Sequence, residues 1–399
     1  MLIDFTLGNF RSFKDSATLS METGGGVQQW ARENTVPITS DLSVLKSAAI
    51  FGANGAGKST VLSGLERMRQ MVVGPTEQIT DNLPYEPFQF DRESASKRTT
   101  FMVNFTRDDQ QYRYAFSYTA TQIVNEVLSV AAGDDYEVLF SREKGTMTMV
   151  PEGLLPVTQR VRPNALMLYA LQDWNYRPAI SVFEWFNDDL IILNEHPSGH
   201  TLDSEWVHSQ MAQFLRAVGS EVAGITQRKV AVQFLDGSAF TRPDLYLIYE
   251  KYDEEGVVIG RKELPLTSAS MGMQQLVMLG LALITAQHAE HAQTILTDNR
   301  LDAIHPAVLA ALLALFNSVA NTSQVILTTN QPVLMSQHLR VDQIYLAEKD
   351  YRGESQLVSL FDFTNVPAEG WLKDYLSGRF GAMPAVDPSD LLAAFDPNL

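Results

Sequence analysis

The sequence holds 399 residues, 45% of them apolar and 19% charged, with no cysteine and a formal net charge of −17. The lack of cysteine excludes disulfides, zinc–thiolate sites and iron–sulfur ligation, and the acidic balance argues against a surface broadly attractive to nucleic acid. No stretch reaches the roughly 18 uninterrupted apolar residues of a membrane span. The opening MLIDFTLGNFRSF lacks the basic-then-apolar build of a signal peptide, so a cytoplasmic protein with no membrane partner is expected.

In chain order, residues 2–7 alternate apolar and polar as a half-buried strand does. Residues 48–51 form a short buried strand that runs into a glycine-rich turn. Residues 59–72 carry Leu62, Leu65, Met68 and Val72 at helical spacing. From 88 to 130 the pattern is strand-rich and turns at Asp108-Asp109, which predicts antiparallel hairpins. Residues 163–193 read as helix followed by strand, 204–222 as a helix and 230–258 as antiparallel strands. A helix over 274–286, a strand over 294–297, a helix over 306–319 opened by proline and a buried strand over 324–329 complete the pattern.

Strand–helix alternation at both ends predicts an α/β core with a β-rich insertion. Three parts are expected. Residues 1–195 form an N-terminal lobe and 263–399 a C-terminal lobe. Residues 196–262 form a connecting helix and β region, with no heptad pattern for a long coiled coil.

FGANGAGKST places Gly52, Gly57, Lys58 and Ser59 at phosphate-loop spacing. Such a loop turns its amides inward around phosphates, which needs glycines, and the start of the next helix adds positive potential. The expected phosphate-binding set is Gly52, Asn54, Gly55, Ala56, Gly57, Lys58, Ser59 and Thr60. Lys58 would reach the outer phosphates and the Ser59 hydroxyl would ligate Mg2+. A glycine turn that binds nothing is the bland alternative. A strand before the loop and a helix after it favour ATP with Mg2+.

NFRSFKD at residues 9–15, together with GANGAGKST, resembles the RecF- and SMC-like ATPases, the ABC-type heads. YEPFQFD, TTFMVNFTRDDQQYRYAFSY, IVNEVL and YLSGRFGAMP resemble one bacterial branch, the AAA-family ATPases of abortive-infection loci. These are found beside RloB-like proteins, with the AriA subunit of PARIS and the PtuA subunit of Septu as relatives. The resemblance implies an α/β, ABC-type P-loop ATPase head with an antiparallel β-rich lobe. It also implies an ATP-binding sensor or scaffold that associates with itself head to head, as a homodimer or higher oligomer. Such a subunit would control a separately encoded effector, a nuclease or other toxin. A RecF-like DNA-repair ATPase is the alternative.

The resemblance carries roles onto single residues. Arg11 and Ser12 would lie near the nucleotide, and Gln89 would contact magnesium and the attacking water. Within SASMGMQQL, Ser270 and Gly272 would cap a nucleotide held by a second copy. Asp298 matches the Walker B aspartate, and Asn330 of LTTNQPVL stands where relatives commonly have histidine. Each has a plainer alternative: Gln89 as a strand-face side chain, Ser270 and Gly272 as a helix cap. His288 and His291 resemble a metal pair but lack a third ligand, so a solvated helix end is expected.

Two positions depart from the pattern. Asn299 replaces the glutamate that polarises water in related heads. It can orient a water but cannot take its proton, and Asn330 has no group that ionises near neutral pH. The catalytic set is thus Lys58, Asp298, Asn299 and Asn330, and three readings of it stay open. Hydrolysis is slow and ATP acts as a clamp; Asp302 supplies the carboxylate from a rearranged turn; or the asparagine is a substitution that traps a bound state.

Overall fold

The computed structural model describes residues 1–133, 135–193, 204–233, 239–367, 369–384 and 386–395. The chain opens with β1 (Leu2–Gly8) and β2 (Ala17–Ser20), a small hairpin of β3 (Thr35–Pro37) and β4 (Ser43–Leu45), and β5 (Ser47–Phe51). Helix α1 (Lys58–Val73) follows the glycine loop. Next come β6 (Thr99–Arg107), β7 (Gln110–Tyr118), β8 (Ile123–Ala132), β9 (Asp135–Glu143) and β10 (Thr146–Met149). Short helices α2 (Leu155–Thr158), α3 (Met167–Asp173) and α4 (Arg177–Glu184) lead to β11 (Leu190–Ile192). Helix α5 (Glu205–Ala217) precedes β12 (Val222–Gln233), β13 (Ala239–Tyr252) and β14 (Val258–Pro265). The last part holds α6 (Met271–Ala286), β15 (Thr294–Asp298), α7 (Pro306–Phe316), β16 (Gln324–Thr328), β17 (Ile344–Lys349), β18 (Ser355–Ser359), α8 (Trp371–Leu376) and α9 (Pro388–Ala393).

The site rests on a six-stranded sheet of order β11-β15-β16-β5-β17-β18, parallel except for its last strand. Its central strand β5 is SAAIF, buried at every position, as expected of a parallel strand covered on both faces. Successive side chains of a strand point to opposite faces. Ala48 and Ile50 accordingly join Leu62, Leu65 and Met68 of α1 in one core, whereas Ala49 and Phe51 join Leu279 of α6 and Leu309 and Leu313 of α7 in the other.

A seven-stranded antiparallel sheet, order β10-β9-β8-β7-β6-β1-β2, closes over the far side of α1. Gly64 allows that approach: a Cβ there would lie 3.2 Å from the Phe5 ring. This is the expected α/β architecture with an antiparallel β-rich lobe. The lobe is not wholly an insertion, because β1 and β2 from the start of the chain join it. A three-stranded sheet, β12-β13-β14, packs with α5 and α6 around Met211, Leu215, Val277 and Leu281.

Several boundaries move from those expected. The helix predicted over 204–222 ends at Ala217 because Gly219 takes φ 78°. Its amide and that of Ser220 close back on Arg216 and Leu215, a glycine stop. β12 therefore begins at Val222 rather than 230. The helix of 163–193 is split at Asn175, with φ 60°, before the proline-opened α4. Residues 88–98 are not strand but irregular chain with one 3-10 turn at Ser94–Ser96, and Asp108 and Asp109, both at positive φ, make the expected hairpin turn. The boundary expected at 195–196 lies outside the described residues. Among those described, no helix is long and apolar enough to cross a membrane.

Candidate nucleotide site

β5 delivers the chain into Gly52, at φ 149°, where a Cβ would sit 2.2 Å from the Ala347 carbonyl oxygen. Gly57, at φ 110°, stands just before α1, where a Cβ would meet Ser355 Oγ at 2.6 Å. Both positions need glycine, for dihedral and for space. Between and after them, the amides of Asn54, Gly55, Gly57, Lys58 and Ser59 have no backbone partner among the described residues. The last three belong to the helix start, where amides lack intrahelical acceptors.

Lys58 is only 4% exposed. Its Nζ donates to the carbonyls of Gly52 (2.9 Å) and Ala53 (3.0 Å) and to Asn330 Oδ1 (2.7 Å). Burial pushes its pKa down, opposed by the nearby carboxylates of Asp302 and Asp298. All three of its acceptors are neutral oxygens, so among the described residues the ammonium has no anionic hydrogen-bond partner.

These groups line a cleft of about 260 Å³. The structure brings Arg11, Ser12, Asn54, Gly55, Gly57, Lys58, Ser59, Thr60 and Asn299 into it, together with Lys349, which no motif signalled. Gly52 and Ala56 shape the loop without lining the cleft: Gly52 passes β17, and Ala56 is buried with its amide on Ala53 O at 3.1 Å. Arg11 pairs with Glu86 at 3.1 Å, and Ser12 Oγ reaches Thr60 Oγ1 at 3.5 Å.

Asp298 closes β15, and its Oδ1 accepts from Thr328 Oγ1 at 2.6 Å. The same hydroxyl accepts the Asn299 amide at 2.8 Å. Asn299 is left-handed, φ 46°; its Nδ2 donates to Ser59 Oγ at 3.3 Å while its Oδ1 is buried with no hydrogen-bond partner among the described residues. Asp302 is committed elsewhere. Its carboxylate accepts from Thr329 Oγ1 at 2.5 Å and from the Asn330 amide at 2.8 Å, fastening the end of β16.

Other residues lie apart. Gln89 is exposed, its Nε2 donating to Pro87 O at 3.1 Å, and does not line the cleft. Ser270 is exposed and N-caps α6, accepting from Met273 N at 3.3 Å. Gly272 touches its own chain, since a Cβ there would lie 2.6 Å from Ala303 O. His288 is exposed, with its ring tilted against Trp206, and His291 bonds Asp108 at 2.9 Å.

Two further positions shape the loop. Asn9 threads the segment that precedes β6: its Oδ1 accepts the Phe88 amide at 3.1 Å and its Nδ2 donates to Ser94 O and Lys97 O. From the other end of the chain, Ala382 O accepts the Ala53 amide at 3.1 Å. Tyr375 Oη donates to that same carbonyl at 3.1 Å.

The donors present fit a magnesium nucleotide. Among the described residues no cluster of three or more His, Cys, Asp or Glu could hold an ion. Magnesium needs none, because it takes one or two protein oxygens and fills the rest with phosphate and water. Ser59 lines the cleft and its hydroxyl could serve as one such oxygen; Asp298 does not line it, and its carboxylate borders a neighbouring pocket with Ser63 and Glu66.

Residues 47–150 match the family model of an AAA domain described as a putative AbiEii toxin of a type IV toxin–antitoxin system. Solved structures similar to this chain include the SMC head domain from Thermotoga maritima. It is 12% identical, with 90% of this chain and 98% of that chain covered and a TM-score of 0.42. An Smc head domain with an extended coiled coil, bound to the C-terminal domain of ScpA derived from Pyrococcus furiosus, is 11% identical. There 90% of this chain and 96% of that chain are covered, with a TM-score of 0.46. Comparison with curated proteins gives no match.

Proposed function

We propose that this chain is an ATP-binding sensor or scaffold subunit of a bacterial anti-phage defence system. In it, ATP draws two copies together head to head and so controls a separately encoded toxic effector. The observation that carries the nucleotide part is Lys58, buried among neutral acceptors beside loop amides that have no backbone partner. The match of residues 47–150 to a toxin–antitoxin family supports the defence setting.

Lys58 and the loop amides bind and orient the phosphates, with Arg11 and Ser12 on the cleft wall. Magnesium, when bound, neutralises charge on the outer phosphates, with Ser59 and Asp298 as its protein donors. Asn299 positions the Ser59 hydroxyl through its amide but accepts no proton from water, which supports slow turnover. Ser270, exposed at the start of α6, is available to the nucleotide of a second copy. Contacts made only in the paired state shift the population toward it.

Calorimetry with Mg-ATP should show binding by the wild type and its loss in Lys58→Ala; equal affinities would end the phosphate-loop reading. Light scattering should show ATP-dependent dimers that Ser270→Arg blocks. Gly272→Asp would not separate the cases, because its side chain collides with Ala303 of the same chain. An ATP-independent oligomer indifferent to Ser270→Arg would refute the head-to-head arrangement, and strong stimulation of hydrolysis by DNA would favour a repair ATPase instead.

A further inference from the structure

We infer that Lys349 is a second phosphate-binding cation, reaching the inner phosphates of a nucleoside di- or triphosphate from the side of the loop away from Asp298. The inference rests on the nucleotide reading above and assigns a role that no motif supplies.

Lys349 is the last residue of β17, which runs parallel to β5 with Leu346 opposite Phe51 and so continues alongside the phosphate loop. On its other side it pairs with Ser355 of β18. Ser355 donates its amide to Ser12 O at 2.7 Å, and its Oγ lies against Gly57. Lys349 is therefore fixed one strand-pair away from a residue that touches the loop, and it lines the same cleft as Lys58. The hairpin that carries it is anchored beyond that point. Lys14 bonds Glu354 at 3.0 Å, and the Phe90 ring covers Gly353.

Two other cations of this region are paired with carboxylates, Arg11 with Glu86 and Lys14 with Asp91 and Glu354, whereas Lys58 bonds only neutral oxygens. Lys349 is exposed, with no hydrogen bond or ion pair to its ammonium among the described residues. Sheet order assigns its share of the ligand. β16 and β15, carrying Asn330 and Asp298 at their ends, lie on one side of β5, and β17 lies on the other. Asp298, which would hold a metal on the outer phosphates, ends β15 on the far side of β5 from Lys349. The β17 side is left for the phosphates nearer the nucleoside, which ADP and ATP share.

The test is isothermal titration of the full chain with Mg-ADP and with Mg-ATP, for the wild type, Lys349→Ala and Lys349→Arg. Lys349→Ala should weaken both nucleotides by the same factor, roughly 5- to 20-fold for one charge-assisted contact, and Lys349→Arg should restore most of it. Unchanged affinities would mean a solvated hairpin lysine and overturn the proposal. A loss confined to Mg-ATP would place the ammonium at the outermost phosphate and overturn the assignment to the inner ones. If the wild type titrates neither nucleotide, the phosphate-loop reading itself fails and takes Lys349 with it. Loss in Lys58→Ala with no loss in Lys349→Ala would leave that reading intact and remove only this one.

Discussion

Two asparagines end strands that lie side by side, and the chain holds them in different ways. Asn299 follows β15 in the left-handed region, and its Oδ1 is buried with no hydrogen-bond partner among the described residues. Asn330 follows β16 with its main-chain amide given to Asp302 and its side-chain oxygen to the Lys58 ammonium. Backbone shape accounts for the first, since short polar side chains enter left-handed dihedrals more readily than others. A hydrogen bond accounts for the second: the Asn330 Oδ1 accepts from the buried Lys58 ammonium. Absence of an ionisable group at both positions is thus one outcome with two physical origins, and substitutions should separate them.

The largest expected effect is at Asp302, which serves the Asn330 side alone. Asp302→Ala removes the acceptor of Thr329 Oγ1 and of the Asn330 amide, and should lower folding stability by about 2–4 kcal/mol. The urea midpoint measures it. An unchanged midpoint with phosphate release abolished would reassign Asp302 from fastening β16 to taking a proton.

Next is Asn299→Glu. Steady-state phosphate release should rise about 10-fold or more if a general base is what the site lacks. The left-handed backbone should at the same time cost about 1 kcal/mol. Asn299→Asp, better suited to that backbone, should show the smaller stability loss. Brisk wild-type release unaffected by either change would break the account of this strand end.

Asn330→Ala should cost only about 1 kcal/mol, the usual net worth of one hydrogen bond. It should not weaken Mg-ATP binding, because Lys58 keeps its two backbone acceptors. Calorimetry beside a thermal melt tests both halves.

The smallest effect lies on the opposite flank of the loop, at Asp91. Its carboxyl is held down to about 2, first by the Ser94 amide, with Lys14 also contributing. A carboxyl depressed on folding adds stability that is complete above its ordinary value and fades as pH falls toward the folded one. Between about pH 4 and 2, the protection of the Ser94 amide relative to its intrinsic exchange rate should therefore fall, and Asp91→Asn should remove that dependence while leaving both asparagines as they are.

Local chemistry was legible in the sequence, and distance was not. The strand, glycine loop and helix from 48 to 72, the Asp108-Asp109 turn and the proline-opened α7 were all readable, because each is decided by neighbours in sequence. Gly219 and Asn175 carried readable stop signals that apolar periodicity outweighed. Nothing local says that β1 pairs with β6, or that Asp302 bonds Thr329 rather than facing a water. Lys349 shows the limit most plainly. It joins the cleft only because β17 lies beside β5, a pairing set by the sheet and not by any motif around the lysine.

The bond between Ala53 and Ala382 bears on how the protein is made. Synthesis runs from the N-terminus, so the glycine loop leaves the ribosome long before β15, β16, β17 and the stretch around Ala382 exist. The ordering of that loop, and the acceptor Asn330 for its lysine, wait on the last part of translation. The N-terminal part alone therefore lacks the hydrogen bond that the loop donates to Ala382. A nascent chain halted before residue 382 should bind Mg-ATP more weakly than the full chain, however complete its β-rich lobe has become.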